Sequence, residues 1–284
     1  MESILDRIDL EQAFSFYGID EGYKDRCYAC MQSIAGNALH KEAFQNVFER
    51  IYCGDFKEVK IAWRAQSTEE LFCPGIDPFC TNLMVLAGLP IHKKNLEKLG
   101  PDQVAAHKMR VKGCFENDLK NRGYPGIRIN QMLWAVHFIR MRIIEVGILQ
   151  YEYTETDDGD CIVKIHIPGD NRLDIASVER SLTESKPQLK KVFGVHEFKY
   201  LCNSWLLSNG VYEILDKSSN IAKFHDLFQV RDGKDCVHHI LNFVFQLDAC
   251  GNYSALPEKT SLQRKLKAQL LQGKSFYSGI GTLK

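Results

Sequence analysis

The segment LQYEYTETDDGDCIVKIHI, residues 149–167, decides the fold of the second half of this chain of 284 residues. Polar and apolar residues alternate on both sides of its Asp-Asp-Gly centre, which is the pattern of two amphipathic β-strands. A Gly after two Asp residues is typical of a hairpin loop, because Gly adopts the left-handed conformation without strain. The segment therefore predicts an antiparallel hairpin with one polar and one apolar face.

The register of this hairpin follows from the same alternation. A three-residue loop at 157–159 pairs Glu152 with Lys164 and Gln150 with His166, and keeps the apolar residues on the other face. A two-residue turn would set Glu152 against an apolar residue and mix the faces, so the pattern selects the longer loop. His166 is then predicted on a polar face, diagonal to Glu152. The polar face of an antiparallel hairpin is ordinarily solvated.

The chain before this hairpin is predicted to be mostly helical. Apolar residues recur at helical spacing between residues 38 and 52, and Gly54 is a suitable end for that helix. Asp-Pro at residues 77 and 78 is a good start for a helix that reaches residue 87. A further helix is expected at 102–121, ahead of the breaker RGYPG at 122–126.

The breaker suggests a domain boundary, since the length of the chain suits two domains. We predict an α+β chain with a helical domain at 1–125 and a mixed sheet with flanking helices at 126–284. The elements expected after the breaker are helices at 127–142, 174–193 (kinked or ended at Pro187), 211–215, 221–228 and 261–271, and strands at 197–206 and 237–247.

Charge and hydropathy exclude several classes of partner. Lys plus Arg equals Asp plus Glu at 36 each, so no net field favours nucleic acid or an anionic membrane surface. No apolar run approaches the roughly 18 residues of a membrane span, and residues 1–9 are too acidic for a signal peptide. We expect a cytoplasmic protein that acts on a small molecule, without nucleic-acid or membrane partners; the sequence does not indicate its oligomeric state.

The ten cysteines are expected to be reduced thiols, since the chain is long and carries no export signal. Cys27-x-x-Cys30 has the spacing of half a zinc site. The pair Cys73 and Cys80 is separated by six residues, outside the usual range of about two to four. We therefore expect no metal. His238 and His239, expected on a strand, would point to opposite sides of it.

Several short motifs resemble one known family. They are EVGILQYE (145–152), IHIPGD (165–170), CNSWLL (202–207), SNI (219–221) and LPxxTxLQR (256–264). Together they resemble the GNAT-like C-terminal domain of bacterial acyltransferase-domain-containing proteins, and residues 75–133 resemble the helical domain that accompanies it. The resemblance implies acyl transfer from acyl-CoA, with the pantetheine arm in a gap between two strands and the pyrophosphate at a helix start.

Two helix starts are candidates for the pyrophosphate, because free backbone N–H groups at a helix N-terminus bind phosphate oxygens. The first is Ser208, Asn209 and Gly210, after the strand that ends near Trp205. The second includes Ser219 and Asn220. Neither carries the Gln/Arg-x-x-Gly-x-Gly/Ala pattern of well-characterised GNAT enzymes, and both sequences are equally typical of ordinary helix caps.

Acyl transfer to an amine requires a base for the amine and an acid for the departing thiolate. His166 is the first candidate base, because imidazole titrates near neutrality, and Glu152 is the second. Tyr253 and Tyr277 are candidate acids. Cys202 and Ser204 share a strand face but lack an identifiable activating base, so we expect them to be packing residues.

Two interpretations of function remain open. The first is a CoA-dependent acyltransferase acting on a small molecule, with an amine as the expected acceptor. The second is a degenerate GNAT-like domain that binds a ligand or a protein without chemistry, which the missing phosphate-loop pattern favours.

Overall fold

The computed structural model describes residues 3–155, 161–169, 173–247 and 249–284. The predicted loop at 157–159 and Asp170 of the IHIPGD motif lie outside these residues. The chain divides into two compact units, Met1–Ile144 and Glu145–Lys284. Each unit has its own hydrophobic core.

The first unit is helical, as the sequence predicts. Its α-helices are α1 (Leu10–Tyr17), α2 (Lys24–Ala35), α3 (Ala38–Phe48), α4 (Phe56–Ala62), α5 (Thr68–Leu71), α6 (Cys80–Ala87), α7 (Leu89–Leu96), α8 (Pro101–Arg122) and α9 (Ile129–Ile139). A π-helical turn at Glu49–Cys53 extends α3 up to Gly54, the end expected from the sequence.

Helix α6 begins later than the Asp-Pro dipeptide predicts. Its first residue is Cys80, because Asp77 caps the turn that precedes the helix by accepting a hydrogen bond from the backbone N–H of Phe79 at 2.9 Å. The same carboxylate accepts a hydrogen bond from the Arg26 guanidinium at 2.7 Å. Asp77 is thus a turn residue with a side-chain partner rather than the N-cap of the helix.

The breaker at 122–126 is held in place by a buried carboxylate. Asp118 of α8 is fully buried and accepts hydrogen bonds from the backbone N–H of Arg128 at 2.9 Å and from its guanidinium at 3.0 Å. This contact fixes the start of α9 against the end of α8. Side chains of α9, such as Met132 and Phe138, lie in the core of the first unit. The compact units therefore divide at Ile144, later than the boundary that we place at 125/126 from the sequence.

The second unit is built on a mixed six-stranded sheet whose first strand lies at the division between the units. The strands are β1 (Ile143–Val146), β2 (Leu149–Glu155), β3 (Cys161–His166), β4 (Lys199–Ser204), β5 (Phe228–Asp235) and β6 (Tyr277–Leu283), in the order β1-β2-β3-β4-β6-β5. The β3–β4 pair is parallel, and the pairs β2–β3, β4–β6 and β5–β6 are antiparallel. The predicted register of Gln150 with His166 and Glu152 with Lys164 is confirmed.

The helices of this unit are α10 (Ile175–Phe193), α11 (Asn209–Ile214), α12 (Asn220–Asp226), α13 (Val237–Phe245) and α14 (Ser261–Leu271). Helix α10 runs through Pro187 without ending there. Its fully buried Ser181 and Ser185 bind the hydroxyls of Tyr151 and Tyr200, which lie on the apolar face of the sheet. These contacts fix α10 across β2, β3 and β4.

The strand predicted at 237–247 is wrong, because this segment forms helix α13. Its buried residues Ile240, Leu241 and Phe245 recur at helical spacing, and a short apolar run does not separate a buried strand from a buried helix. Because this segment is a helix, the prediction that His238 and His239 point to opposite sides of a strand is also wrong. Their ring centroids are 3.9 Å apart on the helix.

The end of β4 requires glycine in the neighbouring strand β6. After Ser204 the chain makes a 3₁₀ turn, Trp205–Leu207, that packs on the backbone of β6. A Cβ atom added at Gly279 would lie 1.9 Å from the Leu207 carbonyl oxygen, and one added at Gly281 would lie 2.7 Å from Leu207 Cδ1. Side chains at these positions would push the turn away from the sheet.

We predict that Gly279→Ala lowers the free energy of unfolding by about 1–3 kcal/mol or more, since the clash is with backbone and cannot be relieved by a rotamer change. Thermal unfolding of purified protein measures the effect. Gly251→Ala is the matched control, because a Cβ there meets nothing within 4 Å. Equal melting temperatures for the two variants would contradict the packing described.

Two buried histidines make the first unit sensitive to acid. The ring centroids of His92 and His107 are 5.8 Å apart, and Tyr17 Oη is 2.9 Å from His92 Nδ1. Both ring nitrogens of His107 are buried without a hydrogen-bond partner among the described residues. Burial lowers the pKa of His92 to about 3 and that of His107 to about 4.

The unfolded chain binds protons at histidine near pH 6.5, whereas these two buried rings stay neutral until much lower pH, so stability should fall as the pH drops from about 6.5 to 4. We predict that His107→Phe makes this fall shallower by up to about 1.4 kcal/mol per pH unit, the value for one proton. Urea unfolding at several pH values measures the slope. A slope equal to that of the parent protein would show that His107 takes up no proton on unfolding.

Candidate functional site

The hydrogen-bonded ladder between the parallel strands β3 and β4 opens before their carboxyl ends. Their ladder pairs Ile162 with Lys199, Val163 with Tyr200 and Lys164 with Leu201, and among the described residues it ends there. Beyond that point β3 continues to His166 along β2, and β4 continues to Ser204 along β6. Backbone groups on the facing edges of the two strand ends are therefore not used in the sheet ladder, and an extended ligand can pair with them.

A charged cluster lies on the polar face of β2 and β3 beside this opening. Glu152 is 4% exposed, so the carboxylate is buried rather than solvated. Its Oε1 lies 3.2 Å from Lys164 Nζ and its Oε2 lies 2.9 Å from His166 Nε2. The side chains of Lys164 and His166 are 36% and 29% exposed, so both reach solvent while the carboxylate that they share does not.

The expectation of a solvated hairpin face is wrong at Glu152 and also at Gln150. Gln150 is 3% exposed and donates from Nε2 to Glu145 Oε2 at 2.8 Å. Burial strengthens hydrogen bonds to a carboxylate, because the surroundings screen charge less than water does. The face is therefore a buried polar network rather than a solvated surface.

The contact between His166 Nε2 and Glu152 bears on which ring nitrogen can act as a base. A neutral imidazole that donates Nε2–H to an ionised carboxylate carries its lone pair on Nδ1. Protonation at Nδ1 would produce an imidazolium stabilised by the carboxylate on the other side of the ring. The arrangement suits a general base that is oriented by a buried acid.

Sequence reasoning paired Lys164 with Glu152 but assigned it no role. The structure shows that Lys164 supplies a positive charge to the same carboxylate that orients His166. The signal was present in the register, since a Lys directly opposite a Glu in a non-solvated position is a cross-strand ion pair. What the sequence did not show was the burial of Glu152.

The first predicted phosphate site lies at the start of α11, directly after the 3₁₀ turn. Ser208 is fully buried, and its hydroxyl caps the helix by accepting from Val211 N at 3.4 Å. Asn209 donates from Nδ2 to Asp232 at 2.9 Å, and its Oδ1 lies 3.1 Å from His225 Nε2. A Cβ at Gly210 would lie 3.3 Å from the Phe276 ring. At this helix start an anion would therefore be bound by backbone N–H groups rather than by side chains.

The second predicted phosphate site is at the start of α12. Ser219 caps this helix by accepting from Ala222 N at 3.3 Å, and Asn220 is its exposed first residue. The nearby Lys217 donates to the Tyr212 carbonyl oxygen at 2.8 Å and lies over the Tyr212 ring. Both helix starts predicted from sequence are confirmed as helix starts, and phosphate binding at either one stays a prediction.

The remaining candidates for chemistry are placed away from the His166 face. Cys202 is fully buried, and burial raises the pKa of its thiol to about 12, so it is not a thiolate at neutral pH. Ser204 Oγ accepts from Leu206 N at 3.2 Å. Ile280 on β6 pairs with Asn203 on β4. Tyr277 lies three residues before Ile280 on β6, so strand alternation puts its side chain on the opposite face of the sheet. Tyr253 packs against the core formed by α13 and α14.

All ten cysteines are free thiols in the structure. Burial raises the pKa values of Cys27, Cys30 and Cys80. In the part of the chain that the structure describes, no group of three or more His, Cys, Asp or Glu side chains is arranged to hold a metal ion.

The fold defines an N-terminal helical unit joined to a mixed sheet that opens between two parallel strands. Residues 143–283 match the family model described as the GNAT-like C-terminal domain. No curated protein matches the chain.

Solved acyltransferase structures share the fold along almost the whole chain. One, in complex with decanoyl-CoA, has 16% sequence identity and a TM-score of 0.68, and the match covers 97% of this chain and 99% of that one. A mutant acyltransferase in complex with octanoyl-CoA has 18% identity and a TM-score of 0.72, with 96% and 87% covered. An acyltransferase in complex with CoA and 10C-teicoplanin has 17% identity and a TM-score of 0.71, again with 96% and 87% covered.

Within the described ranges, every helix is too short or too polar to cross a lipid bilayer.

The unequal burial of the ion pair around Glu152 gives a test of the site. We predict that Lys164→Met lowers the free energy of unfolding by about 1–3 kcal/mol, because it removes a charge-assisted hydrogen bond from a carboxylate that water does not reach. Glu152→Gln should cost less, since the half-exposed Lys164 can be hydrated. Urea unfolding of both single variants and of the double variant measures this.

The double variant should be more stable than Lys164→Met alone, because the buried group is then neutral. A larger loss for Glu152→Gln than for Lys164→Met would show that the carboxylate is hydrated in the native state.

Proposed function

We propose that this protein is an acyltransferase that moves an acyl group from acyl-CoA to an amine of a small molecule. The observation that carries the proposal is the position of the His166–Glu152 pair at the point where β3 and β4 separate. Support comes from the GNAT-like family of residues 143–283 and from solved acyltransferases of the same fold that hold decanoyl-CoA, octanoyl-CoA or CoA.

The opening between β3 and β4 is suited to the pantetheine arm of the donor. The arm carries two amides, and these can pair with the backbone groups of the strand ends in the manner of an added strand. The thioester would then lie at the carboxyl end of β3, next to His166. Ligands commonly bind at the carboxyl ends of parallel strands, where neighbouring connections diverge.

The catalytic step assigns separate roles to the two polar side chains. His166 Nδ1 takes a proton from the acceptor amine, and the amine nitrogen attacks the thioester carbonyl. Glu152 holds the imidazole through Nε2–H and stabilises the imidazolium that forms. The new C–N bond replaces the C–S bond, and the proton on His166 passes to the departing thiolate.

This route gives His166 the role of acid as well as base, since Tyr277 lies on the other face of the sheet and Tyr253 packs against the core formed by α13 and α14. Lys164 acts indirectly, through its contact with Glu152. The acceptor is an amine in this proposal, because a neutral amine gives up one proton to a base as its nitrogen attacks the thioester.

We place the pyrophosphate of the donor at Ser208, Asn209 and Gly210, with Ser219 and Asn220 as the second choice. The start of α11 follows β4 at the open end of the parallel pair, and the N–H groups of Asn209 and Gly210 lie in its first turn. Crystals with CoA bound would test this assignment directly. A pyrophosphate at another helix start would overturn it.

The second candidate function is ligand or protein binding without chemistry. The occupied hydroxyls of Ser208 and Ser219 and the missing Gln/Arg-x-x-Gly-x-Gly/Ala pattern favour it, because a phosphate would gain no side-chain contacts from these residues. Isothermal titration with acetyl-CoA and decanoyl-CoA tests both candidate functions. A protein that binds neither compound would fit neither function.

We predict that His166→Ala lowers the turnover of decanoyl-CoA with a responsive amine by about 10²- to 10⁴-fold, the usual contribution of a positioned base. Chromatographic detection of CoA release across a panel of primary amines measures it. His238→Ala, at an exposed position on α13, is the control and should keep full turnover.

Affinity for decanoyl-CoA should be retained in His166→Ala, because the side chain acts on the acceptor. Binding of the donor without turnover by the parent protein on any amine would favour the binding function. Equal turnover by parent and His166→Ala would remove His166 from the mechanism.

A further inference from the structure

Asn203 lies across the open end of the parallel ladder from His166. The last pair of this ladder among the described residues is Lys164 with Leu201. His166 and Asn203 each follow that pair by two residues on their own strands. Residues two apart on a strand share a face, so Asn203 projects from the same face of the sheet as His166. The two side chains therefore flank the opening, one on each strand.

The contacts of α10 agree with this placement of Asn203. Tyr200 and Cys202 alternate with Asn203 along β4, and the Tyr200 hydroxyl is hydrogen-bonded to Ser185 of α10. The face opposite Asn203 is thus the one that α10 covers. Cys202 is fully buried, whereas Asn203 is exposed. Asn203 accordingly points away from α10 and toward solvent.

The side-chain amide of Asn203 is available to a ligand. Among the residues that the structure describes, none forms a hydrogen bond with it, and Asn is a residue type that strands disfavour. The other polar side chains nearby on this face already have partners. Gln150 donates to a carboxylate on β1, and Lys164 and His166 share the carboxylate of Glu152.

Acyl transfer from a thioester requires a hydrogen-bond donor as well as a base. Attack by the amine places negative charge on the carbonyl oxygen, and a preorganised donor stabilises that charge. His166 does not serve here, since in the proposed function its Nδ1 takes the amine proton and its Nε2 faces Glu152. Ser204 lies next to Asn203 and therefore projects from the other face, where its hydroxyl caps the 3₁₀ turn.

The spacing of strands suits a contact between Asn203 and a thioester in the opening. An arm inserted as an added strand would lie about 4.8 Å from β4, the usual distance between neighbouring strands. Groups at facing positions of neighbouring strands are about 4.5–5.5 Å apart at Cβ, which an amide side chain can span. The donor nitrogen must then come to about 2.7–3.1 Å from the charged oxygen.

We propose that Asn203 is a second catalytic residue, whose Nδ2–H donates a hydrogen bond to the thioester carbonyl oxygen as the amine attacks. This inference rests on the proposed acyl transfer and assigns one side chain of the site to each strand at the opening. His166 on β3 holds the proton, and Asn203 on β4 stabilises the charge on oxygen. When the C–S bond breaks, the carbonyl re-forms and the thiolate leaves with the proton from His166.

Two variants of Asn203 test this role with decanoyl-CoA and an amine that the parent protein acylates. Asn203→Ala removes the amide, and Asn203→Asp keeps the shape of the side chain but replaces the donor by an acceptor. We expect each to lower kcat by about 10²- to 10³-fold, the usual loss for one oxyanion donor. The Kd of decanoyl-CoA, measured by isothermal titration, should change by less than about threefold, because the charge on oxygen exists only during the reaction.

The matched controls are Gln229→Ala and Gln229→Glu. Gln229 carries an exposed amide on the same face of the sheet, on the edge strand β5, where it pairs with Thr282. Thr282 pairs in turn with Leu201 of β4. Gln229→Glu adds the same negative charge to this face as Asn203→Asp, so the two sets of variants separate loss of the donor from a change in charge. Both Gln229 variants should keep the kcat of the parent.

The outcomes distinguish the role of Asn203 from acyl transfer itself. A kcat of Asn203→Ala within about threefold of the parent would overturn the role of Asn203 and leave acyl transfer standing. So would weaker decanoyl-CoA binding with kcat retained, an equal loss in the Gln229 variants, or a fall in melting temperature that accounts for the lost turnover. A parent protein that binds decanoyl-CoA but acylates no amine would overturn acyl transfer, and the role of Asn203 with it.

Discussion

The second unit depends on how β3 and β4 divide their hydrogen bonds between neighbours. Each of these parallel strands is also one half of an antiparallel pair, β3 with β2 and β4 with β6. The antiparallel ladders run to the ends of the strands, while the parallel ladder stops after Lys164 and Leu201. Antiparallel pairing is slightly more stable per residue than parallel pairing, and the parallel ladder is the one that ends before its strands do.

The turn after β4 makes the opening persist. Trp205–Leu207 folds tightly over β6, and this approach is possible because Gly279 and Gly281 have no side chain. The chain therefore leaves the sheet at Ser204, with β4 held along β6 rather than along β3. Helix α11 begins immediately afterwards with Ser208 as its cap. Two glycines in one strand thus position the end of its neighbour.

The polar network beside the opening is stabilised by pairing of charged groups rather than by backbone geometry. Glu152 is buried, and its two oxygens contact Lys164 and His166. Burying a carboxylate is costly unless it is paired, so Lys164 makes the position of Glu152 tolerable. His166 is then held by the same carboxylate. The same carboxylate therefore pairs with Lys164 and, in the proposed function, orients His166.

The sequence alone determined the features that depend on neighbours along the chain. The alternation around residues 149–167 set the register of Glu152 with Lys164, and Ser208 and Ser219 marked helix starts because a cap acts within one turn. The motifs also indicated a GNAT-like domain at the C-terminal end, which the family match at 143–283 confirms.

Only the tertiary structure decided whether the apolar run at 237–245 is a strand or a helix, since its residues satisfy either pattern until a core selects one face. It also decided the burial of Glu152 and the end of the parallel ladder at Lys164. Each of these depends on elements distant in the sequence, and a side chain's local pattern carries no information about what is packed over it.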